Sequence, residues 1–278
     1  MLIFKTPLEL ADYLAVQPDS DIGLVPTMGA LHEGHGSLVQ KSVHAHRLTI
    51  CTIYVNPLQF TNSLDLQKYP RTPQADIERL QSWGCNLVWM PELELDLSSC
   101  QAWTDLGFLD TVMEGADRPG HFTGVCRIIE YLFKLIKPKK AYFGLKDYQQ
   151  VAVVRQLIHT LNLPVELMAC PIVREASGLA MSSRNSRLKP ERRQHAAHMY
   201  RCMQNTCQML EKNGYSKSIE LLKHDLSALD FEVHYAEFRE AHSLNPLPVN
   251  RSLSNTVLLL ACSLDGVRLI DNLECKIK

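Results

Sequence analysis

The chain has 278 residues, 46% of them hydrophobic, and its 29 Lys and Arg are offset by 30 Asp and Glu, for a formal charge of −1. That length allows one large domain or a domain with a smaller appendage, and the balanced charge excludes a generalised nucleic-acid footprint. The longest uninterrupted apolar run, 257–262, is too short to cross a bilayer.

Along the chain, residues 1–17 carry Glu9 and Asp12 inside an apolar pattern, which predicts an amphipathic helix and no secretion signal. Apolar runs at 22–25 and 48–55 predict two strands. Thr72 followed by Pro73 starts a helix that Gly84 ends, and a strand at 86–90 follows. The dense apolar segment 122–136 predicts a packed helix stopped by Pro138. Beyond it, 141–143 and 165–169 read as strands and 147–161 as a helix. Strands alternating with helices predict an α/β fold: a Rossmann-like, doubly wound, mainly parallel sheet over 1–172.

The pattern changes after residue 173. Helices are expected at 190–214 and 216–229, a strand at 231–239, and a hairpin of 256–264 with 267–270 around Asp265-Gly266. Residues 173–278 are therefore expected to form a smaller α+β domain. The nine cysteines are odd in number and irregularly spaced, which predicts reduced, buried thiols in a cytoplasmic protein.

The stretch Met28, Gly29, Ala30, Leu31, His32, Glu33, Gly34 and His35 joins the 22–25 strand to a helix-like segment. Two imidazoles three positions apart, beside backbone amides at a helix start, suit an anion and a polyphosphate above all. Taken alone, such a pair is equally well read as surface histidines. Zinc is the weaker alternative, since no Cys-x-x-Cys or matching carboxylate follows at ligand spacing. Lys146 and Asp147 supply a phosphate-binding cation and an acid for magnesium or ribose hydroxyls, against the plainer reading of Asp147 as a helix cap. Met181, Ser182, Ser183 and Arg184 place hydroxyls and a guanidinium on one loop, against the reading of a polar linker. In an open parallel sheet the loops after the strands form one ligand crevice, where these segments are expected to meet.

In order and with suitable spacing, PTMGALHEGH, VNPLQF, YPRTPQAD, RPGHFTGV, GLKDYQQ, PIVREASGLAMSSRN and RLIDN resemble the pattern of the pantoate–β-alanine ligase family, a nucleotidyltransferase group with a His-x-Gly-His signature. The resemblance implies an enzyme that condenses pantoate with β-alanine at the expense of ATP, through a pantoyl adenylate, releasing pyrophosphate and AMP. It implies that Met28 through His35, Gly144, Leu145, Lys146, Asp147, Val173, and Met181 through Arg184 bind ATP. His35 is the implied proton donor, with His32 and Lys146 beside it in catalysis. Gln59 would bind pantoate and border the β-alanine site, Gln150 would bind pantoate, and Asp76 matches a position associated with Mg²⁺. The 1–172 domain would hold nucleotide and pantoate and 173–278 would act as a lid, in a homodimer without nucleic-acid or membrane partners. The chain departs from the family pattern at Leu145, where glutamate is usual. It departs again at Gly36, where a larger residue is common and glycine is expected to loosen the first helical turn.

Overall fold

Ile22–Thr27 (β2) and Leu48–Ile53 (β3) lie side by side in parallel register, Val25 opposite Cys51, as two β-branched runs buried on both faces must. The computed structural model describes residues 1–17, 21–98, 100, 106–247 and 255–275. Among them the chain forms two compact units, Met1–Leu145 with Val153–Pro171, and Lys146–Ala152 with Ile172–Lys278.

The first unit is built on a six-stranded parallel sheet in the order β1-β4-β3-β2-β5-β6, with β1 at Leu2–Phe4, β4 at Leu87–Trp89, β5 at Lys140–Gly144 and β6 at Glu166–Cys170. Its helices are α1 (Pro7–Ala15), α2 (Glu33–Ala45), α3 (Ser63–Gln67), α4 (Pro73–Ser82), α5 (Met113–Asp117), α6 (His121–Ile136) and α7 (Tyr148–Thr160), whose first turn belongs to the second unit. From β2 the chain winds out to β3 and β4, then returns to β5 on the other side of β2. Ligands in open parallel sheets bind at that reversal, so the ends of β2 and β5 are where a site is expected.

The N-terminal segment differs from its sequence-based reading. Residues 2–4 pair with β4, Leu2 opposite Leu87, and only then does a helix begin. Thr6 caps it by accepting the Glu9 N–H while Glu9 returns a bond to Thr6, and Pro7 opens the first turn. Proline has no N–H and resists a preceding helical residue, so the helix starts there and cannot extend back to residue 1.

The second unit packs α8 (Pro190–Ala196), α9 (His198–Gln208) and α10 (Leu210–Ala228) with an antiparallel sheet, β7 (Glu232–Glu240), β8 (Thr256–Leu264) and β9 (Val267–Cys275). The expected helix over 190–214 is broken after Ala196 and Gln208. Gly214, at φ 72°, is a kink within α10, where a second helix is expected to begin. Asp265 and Gly266 both take positive φ, 50° and 72°, between the paired Leu264 and Val267. That is the two-residue hairpin turn expected from Asp-Gly. Leu258, Leu260, Cys262 and Leu264 of β8 meet Met199, Met203, Leu222 and Leu226 in its core.

One expectation is corrected. Cys207 and Cys275, 68 residues apart, are joined in a disulfide, a pairing that irregular spacing conceals. The other seven cysteines are unbonded, and burial pushes the Cys126 and Cys262 thiols up to about 12. Gly36 also makes room for the buried Trp83, whose ring a Cβ would meet at 2.7 Å. Gly36→Ala would gain about 1 kcal/mol of helix propensity, but forcing a methyl group against a packed indole costs about 1–3 kcal/mol. Chemical denaturation is expected to show the variant less stable than the parent; equal or higher stability would mean that Trp83 yields freely.

Candidate active site

Just beyond β2 the backbone turns through two left-handed residues, Gly29 at φ 78° and Ala30 at φ 49°. For alanine this conformation costs of order 1 kcal/mol and persists only where the surroundings enforce it. Here Asp76, in the first turn of α4 and 1% exposed, enforces it. One carboxylate oxygen accepts the Ala30 N–H at 2.9 Å, the other the Leu31 N–H at 2.8 Å and the Thr72 hydroxyl at 3.1 Å. Arg79, one turn further along α4, donates to the Leu31 carbonyl. A single helix thus grips both backbone edges of the corner.

Consecutive amides converging on one anion form a nest, and the anion filling this one is the protein's own carboxylate. The sequence places a polyphosphate at these amides; the structure engages those of Ala30, Leu31, His32 and Gly34 internally. Asp76 is likewise a poor fit as a magnesium ligand. Its two oxygens already hold three donors, the N–H groups of Ala30 and Leu31 and the Thr72 hydroxyl.

The same hydrogen bonds define the chemistry of the histidines. His32 caps α2, its Nδ1 accepting the Gly34 N–H at 3.2 Å, while His35 Nδ1 accepts the His32 N–H at 3.2 Å. The rings lie 4.1 Å apart between centroids. A ring nitrogen that accepts carries no proton, so each neutral imidazole holds its proton on Nε2 and is a donor there. Adding a proton at either Nδ1 would set a donor against a backbone N–H.

Gln59 ends a short 3-10 turn, Pro57–Gln59, after β3. Its side-chain amide donates to Met28 Sδ at 2.8 Å, which joins two segments that the sequence only places in the same motif set. Its carbonyl accepts from His121 Nδ1 at 2.7 Å and from Arg118 at 3.3 Å, so the Arg118–His121 segment serves to hold Gln59. Asn56 adds a bond to Gln59 Oε1 at 3.3 Å and one to the Gly124 carbonyl at 3.0 Å. At Gly124 the approach is so close that a Cβ would stand 2.2 Å from the Leu58 oxygen. Beside Met28 and Gly29 opens a cavity of about 340 Å³, with Ile53 and Met90 in its walls and Arg71 and Asp76 among its polar groups. That volume lies within the range of small-molecule sites. Gly144 closes β5, the neighbour of β2, and Leu145 follows it.

In the second unit Lys146 lies 3.5 Å from Asp147, its side chain 18% exposed. Gln149 is buried and Gln150 half-buried. The Met181 N–H donates to the Val173 carbonyl at 3.0 Å, which brings these two residues together at the base of a hairpin that turns at Gly178. Ser182 caps the next turn, Ser183–Arg187, by accepting the Arg184 N–H. Buried Asn185 fastens that turn to the Ala180 carbonyl at 3.0 Å and to Glu175 at 2.8 Å. Arg79, Asn56 and Asn185 escape the sequence reading. Each acts on a backbone carbonyl or a neighbouring side chain, and only the ordered motifs around them hinted at a role.

An open parallel sheet with polar loops at the carboxyl ends of its strands is the architecture of a nucleotide-binding α/β enzyme. Residues 2–274 match the family described as Pantoate-beta-alanine ligase, and the chain belongs to that family. It is 42% identical over 256 residues to pantothenate synthetase of Cytophaga hutchinsonii, covering 91% of this chain and 90% of that protein. To the enzyme of the same name from Porphyromonas gingivalis it is 40% identical over 278 residues, covering 99% of each. Among solved structures, pantothenate synthetase from Thermus thermophilus superposes with a TM-score of 0.88 at 35% identity, covering all of both chains. Pantoate-beta-alanine ligase from Francisella tularensis, complexed with beta-gamma ATP and beta-alanine, gives 0.83 at 30% identity, covering 100% of this chain and 99% of that one.

Asp76→Asn keeps the side chain's size but turns an amide donor toward a backbone donor. It is expected to lower stability by about 1–3 kcal/mol, as for other lost buried acceptors, and to speed hydrogen exchange at the Ala30 and Leu31 amides. Unchanged exchange at both amides would show that the carboxylate does not hold the corner.

Proposed function

We propose that the chain condenses pantoate with β-alanine in two steps. In the first, a pantoate carboxylate oxygen attacks the α-phosphorus of ATP, the bond from that phosphorus to the bridging oxygen breaks, and pyrophosphate leaves. In the second, the amine of β-alanine attacks the acyl carbon of pantoyl adenylate, the acyl–oxygen bond breaks, the nitrogen loses a proton and AMP departs. The observation that carries this reading is the pair of imidazoles, His32 and His35, each with Nδ1 accepting a backbone N–H, at the carboxyl end of β2 in a chain of this family.

The physical logic supports it. The first step concentrates negative charge on phosphoryl oxygens, so positioned donors supply most of the catalysis. In this reading His35, an Nε2–H donor, hydrogen-bonds the departing group as its charge develops, with His32 and Lys146 beside it on the phosphates. Met28 through His35, Gly144 through Asp147, Val173, and Met181 through Arg184 contact the nucleotide. Because the Ala30 and Leu31 amides hold Asp76, contact there falls to other atoms of the loop. Gln59 and Gln150 donate to and accept from the hydroxyl and carboxylate groups of pantoate, and Gln59 borders β-alanine. Mg²⁺ arrives with ATP on its phosphates as part of the substrate, with no side chain of this chain assigned to it. The adenylate is readily hydrolysed, so a lid role for 173–278 over a nucleotide- and pantoate-binding 1–172 is part of the same proposal. So are a homodimer, a cytoplasmic setting, and the lack of nucleic-acid or membrane partners; no helix among the described residues is long and apolar enough to cross a membrane.

The deciding assay follows AMP release with ATP, pantoate and β-alanine. Release that needs both co-substrates supports the proposal, whereas pyrophosphate exchange with another acid and none with pantoate contradicts it. His35→Ala and Lys146→Ala should each slow adenylate formation by about 10²-fold, as lost oxyanion donors do; near-normal turnover in both removes their roles. Gln150→Ala should raise the KM for pantoate while leaving that for ATP in place, and an unchanged pantoate KM counts against its assignment.

A further inference from the structure

The segment 268–272, RLIDN, belongs to the matched pattern, yet it takes no part in the reaction described above. It lies within β9, in the second unit. Asp271 is 3% exposed and receives both prongs of one guanidinium, Arg174 Nη1 at 2.6 Å and Nη2 at 2.9 Å. Arg174 also donates to the Gly178 carbonyl at 3.1 Å and to the Asn272 carbonyl at 3.3 Å, and its Cζ rests 3.7 Å from the centroid of the Tyr200 ring. The neighbouring residue acts elsewhere: Asn272 Nδ2 donates to the carbonyl of Lys146 at 3.1 Å. The Asn272 N–H in turn donates to Asp271 Oδ1 at 2.8 Å, so the two anchors share one carboxylate.

We infer that Asp271 and Asn272 are positioning residues for nucleotide binding. Asp271, through Arg174, fixes the hairpin that carries Val173 and Met181; Asn272, through the Lys146 carbonyl, fixes the backbone from which the lysine side chain extends. The inference rests on the proposed contacts of Lys146 and the 181–184 loop with ATP. A role in stability alone is poorly served by this construction, because a well-packed apolar pair stabilises a core at least as well as a buried ion pair does. What the two-pronged bond adds is a fixed orientation. Two segments expected at the phosphates are registered from adjacent residues of one strand, so their spacing follows β9 instead of their own torsional freedom.

The test uses the full chain and steady-state kinetics with each substrate varied in turn. Asp271→Asn would leave a guanidinium buried without its counter-charge and endangers folding, so the informative variants are Asn272→Ala and Arg174→Lys. The second keeps the positive charge and loses the planar fork. Each is expected to raise the KM for ATP about tenfold, the scale of one well-made hydrogen bond, while the KM values for pantoate and β-alanine stay put. Arg174→Lys/Asn272→Ala should exceed either single change. If Lys146→Ala slows adenylate formation but Asn272→Ala, folded by circular dichroism, has the parent KM for ATP, the positioning role is overturned and the proposed function stands. A drop in melting temperature with all three KM values unchanged would likewise reduce the network to a structural one. If Lys146→Ala itself forms adenylate normally, the assignment of Lys146 fails, and this inference goes with it.

Discussion

The corner after β2 depends on one carboxylate. A strand that must turn at once into a helix leaves several backbone amides without sheet or helix partners, and buried amides do not tolerate that. Asp76 answers two of them from inside the fold, and in doing so holds Ala30 in a conformation that alanine would otherwise leave. With Leu31 fixed at its N–H by Asp76 and at its carbonyl by Arg79, the next residue, His32, begins α2 from a set direction. The two histidine rings then complete the cap, which decides the nitrogen on which each carries its proton.

The same construction recurs at the other loops. His121 and Arg118 hold the Gln59 carbonyl, Arg174 holds that of Gly178, and Asn272 holds that of Lys146. At Gln59 and Lys146 the gripping side chain comes from a separate element, whereas Arg174 ties its own hairpin to β9; in all three the bond fixes the main chain of a loop. Singly, such bonds add about 1 kcal/mol, but leaving a buried partner unmet costs more. Their larger effect is geometric: donors already in place need no reorganisation when charge develops on a phosphoryl group. The residues proposed to touch substrate are therefore supported by another set whose contribution is orientation.

Much of this was legible in the sequence, for reasons particular to each element. Strands β2 and β3 announced themselves as β-branched apolar runs, α4 by Pro73 in its first turn, although the Thr72 hydroxyl bonds Asp76 instead of capping the helix, and the β8–β9 turn by Asp265-Gly266. The short β1 was hidden because three residues pair only with the distant β4, and the break at Pro7 was read as part of a longer helix. Nothing local tells that Gly36 accommodates Trp83, or that Cys207 meets Cys275; both contacts are long-range. The imidazole pair marks a corner whose amides the sequence offers to a polyphosphate, while in the structure those of Ala30 and Leu31 hold Asp76. Only the fold brings Asp76, 46 residues beyond Ala30, into the nest. Motifs such as RPGHF and RLIDN could be matched from sequence but not understood, since what they grip is main chain, and main chain carries no sequence signal.

The most direct test of this construction is the ¹⁵N NMR spectrum of the histidine side chains in the intact protein at neutral pH, with His32 and His35 assigned by substitution. If the corner is built as described, both rings show a protonated Nε2 and an unprotonated, accepting Nδ1. A proton resident on Nδ1 of either ring would contradict it, because that nitrogen could not then receive the backbone N–H on which the arrangement depends.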